Sequence, residues 1–383
     1  MAVSMDVIGV YETVTGARVD TVPASSWSWR RQVSGAGALS VSVPMSLDTQ
    51  GMGLRQLLAP WRTTLAVVDT SSRRVVAAGV VYARRWDADS GVLDVSCADL
   101  WDALTMRLAL SPSLDGFTDG ALESAGGRLP GAWTMTLSGS LADIARGLVA
   151  QTLRSGPLPV VLPAVTGGTH ERTYLGADFA TVASRLSELT QVIDGPEIIF
   201  DPRLAGEGTS LSWHMLTGTP ELVSTTHSWD ARRRAVPLID LSVEEDASDM
   251  VGDSWARGGS QEDQTLIAHH HDRWLEEQGW PLLQAADTSH STVSDLATLR
   301  SWARTPTVMR ARSTEVVSLK VRRVDEAGYP LGDAVLPGDH VRLRHDDPYL
   351  GSGTIGLKVL ETSGGEGEWV TCSCREAITE AVG

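Results

Sequence analysis

Apolar side chains recur at every second position in short runs over the first 110 residues, and Gly, Pro, Asp and Ser punctuate those runs. That is the pattern of half-buried antiparallel strands joined by tight turns. MDVIGVYE and ARVDTV flank a Thr15-Gly16 turn, WSWRRQV and ALSVSVPM flank Gly35-Ala36-Gly37, and TLAVVD passes through Ser71-Ser72 into RVVAAGVVYARRW. The run from Gly79 to Trp86 turns at Asp87-Ala88-Asp89-Ser90-Gly91 and returns as VLDVSCADL, a hairpin with an acidic turn. So many short strands predict a small antiparallel barrel or sandwich.

After Leu110 a loop-rich stretch, SPSLDGFTDGALESAGGRLPG, leads into a period of about 3.6. Ser140 and Asp143 form a capping-box start for a helix over LADIARGLVAQTLR. Asp178 is the expected cap of a second helix, FATVASRLSELTQVI, with Phe179, Val182, Leu186, Leu189 and Ile193 on one face. Gly195-Pro196 ends it, and EIIFD and TSLSWHML then read as a hairpin. TLIAHHHDRWLEEQGW and TVSDLATLRSWART are the expected helices of a more polar region, after which VVSLKVRRV, DHVRLRHD, GLKVLET and EWVTCSCRE return to alternation. The expected fold is mainly β with α+β insertions. A first β-barrel occupies 1–110, two helices on a hairpin 111–215, a second barrel 216–255 with 305–383, and an inserted helical subdomain 256–304.

A constant shift relates positions of the two expected barrels, which reads either as a duplicated barrel or as two β domains sharing turn chemistry by chance. Pro60 and Pro337 lie 277 apart, and the same shift carries Gly79 to Gly356, Ser96 to Ser373, Cys97 to Cys374 and Asp99 to Glu376. Val80 falls on Leu357 and Leu93 on Val370, but Leu65 falls on Arg342, so an earlier one-residue slip is required.

Charge narrows the chemistry. The chain carries 32 Lys+Arg against 48 Asp+Glu, a net −16, which disfavours a sequence-independent grip on DNA or anionic membrane. No apolar run is long enough for a spanning helix and the start lacks a basic and apolar leader, so a soluble chain without a secretion signal is expected. Cys97, Cys372 and Cys374 make no disulfide framework. Asn is absent and Lys320 and Lys358 are the only lysines; both follow Leu, which excludes a P-loop and a Cys-His-Asn triad. Each lysine sits in an alternating run, where a solvated face position is expected.

Gly351-Ser352-Gly353-Thr354-Ile355-Gly356 matches the dinucleotide fingerprint in letters, but a strand-like run follows where a helix is required, so a hairpin loop is expected. Asp87-x-Asp89-x-Gly91 lacks the later ligands of a calcium loop and reads as a turn. His269, His270 and His271, with Asp272, Glu276 and Glu277 following, are the densest metal-capable cluster, yet consecutive residues on a helix diverge by about 100° and cannot converge on one ion. They are read as a solvated or interface helix. Cys372 and Cys374 share a strand face without a partner pair and read as buried small hydrophobes. Glu244, Glu245, Asp246 and Asp249 read as a solvated acidic turn rather than a glycosidase pair. No catalytic, cofactor-binding or metal residue is assigned. Trp is frequent, at 13, and often adjoins Arg, as in Trp29-Arg30, Trp61-Arg62, Arg85-Trp86 and Arg273-Trp274, which leans towards an assembly surface.

One stretch carries a resemblance: Ser34-Gly35-Ala36-Gly37-Ala38-Leu39 leading to SVSVP, then Leu58-Ala59-Pro60-Trp61, Gly79-Val80-Val81, and Val95-Ser96-Cys97-Ala98-Asp99-Leu100-Trp101. It resembles the tail-tip hub of tailed bacteriophages and is similar to the Tal-type minor tail proteins of phages infecting actinobacteria. The resemblance implies a non-enzymatic homotrimeric ring with two related barrels per chain, a pseudo-sixfold collar between the sixfold tail tube and threefold tip structures of a siphophage. It implies the distal tail protein, tail tube, tape measure protein and other minor tail proteins as partners, and a virion tail-tip location after assembly in the host cytoplasm. Phage DNA would only pass through the channel, part of whose lining would be acidic. Two other readings are a carbohydrate-binding module, and a tail-associated cell-wall hydrolase tested at His270 or Glu276.

Overall fold

The computed structural model describes residues 6–115, 117, 119–120, 133–222, 224–232, 238–261, 264–289, 295–325 and 327–377. The loop-rich stretch expected over 111–131 and the chain after residue 377 lie largely outside them. The chain divides into a larger unit, Met1–Leu241 with Ser318–Gly383, and a smaller one, Ser242–Val317.

The alternating runs at the start form β1 (Asp6–Glu12), β2 (Arg18–Val22), β3 (Ser26–Gln32), β4 (Ala38–Pro44), β5 (Thr63–Asp69), β6 (Arg74–Asp87) and β7 (Val92–Ala98). All their ladders are antiparallel, in the order β3-β4-β7-β6-β5-β1-β2. On β4, Leu39, Val41 and Val43 point to the core while the residues between them do not, so period two sets which face is buried.

Next come β8 (Thr134–Gly139), a helix over Leu141–Ser155, β9 (Val160–Val161), β10 (His170–Leu175), a helix over Val182–Thr190, and the hairpin β11 (Glu197–Ala205) with β12 (Ser210–Gly218). The capping box at Ser140 and Asp143 is present, with Ser140 Oγ accepting from the Asp143 amide at 3.0 Å. The second helix starts later than its pattern suggested: Thr181 caps it, and Asp178 instead pairs with Arg185 at 2.8 Å. Val182, Leu186 and Leu189 are buried, whereas Phe179 and Ile193 lie beyond the helix ends and are exposed. Both helices share one core with Trp101, Ile198, Leu211, Trp213 and the inner face of β6.

Then follow β13 (Thr226–Asp230) and β14 (Leu238–Asp246). The smaller unit contains β15 (Asp253–Gln261), β16 (Gln264–His271) and β17 (Gln284–Asp287), in the order β16-β15-β17. A helix over Leu296–Met309 packs Leu299 and Ala303 on Ala256 and Ala268. The helix expected through the histidines is thus a strand, followed by one helical turn at Trp274–Glu277. Inward Leu266 and Ala268 find a sheet partner in β15 and a lid in the long helix, and that packing overrides a local pattern readable either way.

Finally β18 (Thr314–Arg322), β19 (His340–Asp347), β20 (Gly351–Gly365) and β21 (Trp369–Glu376) repeat the early topology: β18-β21-β20-β19 mirrors β4-β7-β6-β5. A shift of 277 carries the starts of β5, β6 and β7, at Thr63, Arg74 and Val92, onto those of β19, β20 and β21, at His340, Gly351 and Trp369. The slip expected near Leu65 is not there: Leu65 faces Gly79 as Arg342 faces Gly356, and Thr64 faces Val80 as Val341 faces Leu357, so the shift of 277 holds in register until the bulge after Val67, where Val68 faces Val75 but His345 faces Gly353. The two strand sets do not close as separate barrels among the described residues. β3 pairs with β20, from Glu361 opposite Gln32 to Gly365 opposite Ser28, and this joins both sets in one 13-stranded sheet. The copy is imperfect at one border, where β13 lies parallel to β19 but β1 runs antiparallel to β5.

The turn at Gly16 pins the first hairpin to β12. Gly16 has φ +72°, its carbonyl accepts from the Leu211 amide at 2.8 Å, and a Cβ there would lie 2.1 Å from the Leu211 carbonyl oxygen. Gly16→Ala should therefore lower the unfolding free energy by about 1–3 kcal/mol, read from urea denaturation midpoints.

Candidate functional site

The sequence candidates scatter. Gly351–Gly356 opens β20, opposite β19, and the turn after β6 is held by Asp87, which accepts from the amides of Asp89 and Ser90, each at 3.0 Å. Cys372 and Cys374 are fully buried on β21, and burial pushes both thiols up. Glu244, Glu245 and Asp246 end the exposed strand β14.

On β16 the three histidines alternate in direction, as period two requires. His269 Nε2 lies 2.9 Å from buried Asp253, His271 Nε2 lies 2.9 Å from Glu276, and His270 Nδ1 bonds Thr307 Oγ1 at 2.7 Å. His271 also comes within 3.6 Å of the Asp253 oxygen that holds His269, while His270 turns to the other face, and among the described residues no group of three or more is placed to hold a metal ion.

The strongest polar constellations are ones that alternation did not reveal. Lys358, expected on a solvated face, is fully buried. Its ammonium donates to the Leu222 carbonyl at 2.9 Å and pairs with Glu197 at 2.8 Å, with Glu221 at 3.6 Å. Arg375 donates to Glu221 at 2.5 Å and His340 lies 3.2 Å away on its other oxygen. Burial alone would raise the Glu221 carboxyl, but the Lys358 and Arg375 charges outweigh it and hold it below its ordinary value. The start of β11 and the segment after β12 are thereby tied to β19, β20 and β21. Lys320, by contrast, is half-exposed and bonds Asp240 at 2.8 Å.

A second network ties β1 to the strand set at the other end of the chain. Arg323, after β18, donates two bonds to Asp6, one of them at 3.0 Å, and its Nε donates to both Asp333 oxygens at 3.0 Å. All three side chains are almost entirely buried. Two carboxylates share one guanidinium, and burial with that crowding pushes the Asp333 carboxyl up although Arg323 opposes it. Burial disfavours the Arg323 charge too, but bonds to Asp6 and Asp333 hold its pKa above the ordinary value.

Open clefts of about 370 Å³ and about 300 Å³ run along Arg107, Leu110 and Gln151 and along Arg344, His345 and Ser352, whereas enclosed space is small. The cavity between Arg31, Asp99, Phe200 and Trp213 measures about 20 Å³, room for a water and not for a substrate. Burial pushes Asp99, which caps the turn at Leu100 and accepts from the Gly37 amide at 2.6 Å, up to about 6. Large aromatic side chains point outward instead: Trp61, Tyr82 and Trp86 in the larger unit, and Trp255, Trp274, Trp280 and Trp302 in the smaller. Of the four Trp-Arg pairs, only the one at Trp29 has its indole buried.

No family model matches the sequence and no curated protein matches it. Solved structures do. A tail protein from Neisseria meningitidis MC58 aligns with TM-score 0.56 at 14% identity over 97% of this chain and 96% of its own. The 43 kDa tail protein of prophage MuSo2 from Shewanella oneidensis gives 0.56 at 12% identity, over 97% and 98%. This chain has the fold of those tail proteins. Prophage tail protein gp18 from Listeria monocytogenes EGD-e extends the likeness, with TM-score 0.50 at 9% identity over 99% and 96%. The tail-protein fold therefore runs along nearly the whole chain, with the two ion networks tying distant parts of it together.

Replacing Arg323 leaves Asp6 and Asp333 buried without their cation. Arg323→Met should destabilise by about 3–5 kcal/mol at neutral pH. The Asp333 carboxyl is raised above its ordinary value even beside Arg323, and a raised carboxyl contributes stability that is lost as pH rises, so without the opposing cation the deficit should shrink towards pH 4. Chemical denaturation of both chains across that range checks the magnitude and the sign.

Proposed function

We propose that this chain is a structural subunit of a bacteriophage tail tip, a Tal-type siphophage hub that acts as a homotrimer. Its support is the repeated strand set: β4-β7-β6-β5 and β18-β21-β20-β19 present two similar surfaces per chain, and three chains present six. Such a ring adapts a sixfold tail tube to threefold tip components, with each strand set acting as one barrel-like sixth of the collar. In this reading 1–110 and 216–255 with 305–383 build the collar, 111–215 packs against it, and 256–304 is inserted. Its partners are the tail tube and distal tail protein, the tape measure protein and other minor tail proteins, in the virion after assembly in the host cytoplasm. Its role is non-enzymatic. Phage DNA passes the channel without being gripped, which the net charge of −16 favours.

Light scattering on the purified full-length chain, with negative-stain images of the same peak, tests the assembly. Three chains in a ring are expected. A chain that stays monomeric both alone and mixed with its tail-tube partner overturns the proposal.

A second reading has one observation in its favour. In the smaller unit the exposed Trp255 ring stacks on His269 at 4.0 Å, and Trp274 stacks on Trp280 at 5.9 Å with Arg312 over Trp274 at 5.8 Å. Outward indole faces flanked by hydrogen-bonding side chains suit sugar rings. If that unit binds glycans, Trp255→Ala and Trp274→Ala should each reduce cosedimentation with host cell walls several-fold; unchanged pelleting removes the reading.

A further inference from the structure

The two strand sets differ in what covers one edge, and that difference locates a junction between copies. β6 pairs with β5 only as far as Val80, then continues against β7 from Ala83 opposite Ser96 to Asp87 opposite Val92. β20 behaves alike, leaving β19 at Lys358 and continuing against β21 from Glu361 opposite Ser373 to Gly364 opposite Val370. On β20 the edge vacated by β19 is filled by β3 of the same chain. On β6 the matching edge, Ala83–Asp87, has no strand partner among the described residues. One strand is correspondingly left over. β14 pairs β18 as β3 pairs β4, but where β3 has β20 on its other side, β14 ends the sheet among the described residues.

We infer that β14 of one copy adds, antiparallel, to the Ala83–Asp87 edge of β6 in a second copy, repeating between chains the β3 to β20 junction made within the chain. The inference rests on the trimeric-ring reading and names its contact. Charge supports it. The β6 edge carries Arg84 and Arg85, with Tyr82 and Trp86 exposed beside them, whereas β14 carries Asp240, Glu244, Glu245 and Asp246. The junction within the chain is likewise bridged by opposite charges, Arg30 to Glu361 at 3.8 Å. Arg84 already donates to the Arg55 carbonyl, Asp240 is held by Lys320, Glu245 accepts from Ser313 and Asp246 from the Ser248 amide, which leaves Arg85 and Glu244 as the pair to meet across the gap. Because the two edges are different surfaces, the contact is head-to-tail, and it closes a ring when successive copies turn by one third of a circle. Long exposed edges are also what sheets otherwise protect against aggregation.

Cysteine pairing tests it in the full chain, whose native thiols are buried. Arg85→Cys is combined in turn with Ser242→Cys, Val243→Cys and Glu244→Cys. At least one combination should give, on mild oxidation, a non-reducing ladder that stops at three chains, while each single variant gives none. As a check independent of oxidation, Arg85→Glu should raise the concentration of half-assembly about tenfold and Glu244→Lys in the same chain should restore it. A trimer that forms normally yet gives no ladder and ignores the charge exchange overturns this junction and leaves the ring standing. A wild-type chain that never trimerises overturns both.

Discussion

Five residue pairs between β3 and β20 hold the two strand sets in one sheet. Without that ladder the early and late strands would be two smaller sheets with exposed edges. With it, the early and late strands become one sheet, and the edge of β20 that β19 leaves is filled by β3. The duplicated topology thus has a consequence that neither copy has alone.

Two buried ion networks act in the same sense. Arg323 with Asp6 and Asp333 joins the first strand to the turn after β18, and Lys358 with Glu197, Glu221 and Arg375 joins the helix-bearing segment to the last three strands. Buried ion pairs add little net stability over apolar packing, but each is intolerant of losing one partner. Their physical effect is specification: a guanidinium or ammonium fully removed from water accepts few arrangements, so long-range contacts across this chain form in one register or at a heavy cost.

Low identity to the solved tail proteins beside near-complete coverage follows from the same logic. What is shared is where strands alternate, bulge and turn, conditions that many apolar residues meet equally well.

Much of this architecture was legible along the chain. Alternation located every early strand, Ser140 with Asp143 marked a helix start, and the regular spacing of turns disclosed the repeat, because each is a local property of backbone and neighbouring side chains. Three things were not. Lys358 alternates with core residues as a solvated side chain would, and only the segment through Glu197 and Leu222 lying over that face buries it. The histidines fit a helix until β15 and the helix over Leu296–Met309 offer Leu266 and Ala268 a sheet environment. The barrels read from strand count became one sheet because β3 found β20. The sequence by itself determined which residues could be strand, helix or turn and which face of each was apolar; tertiary structure decided what covered those faces and edges, since that depends on segments hundreds of residues apart meeting in space.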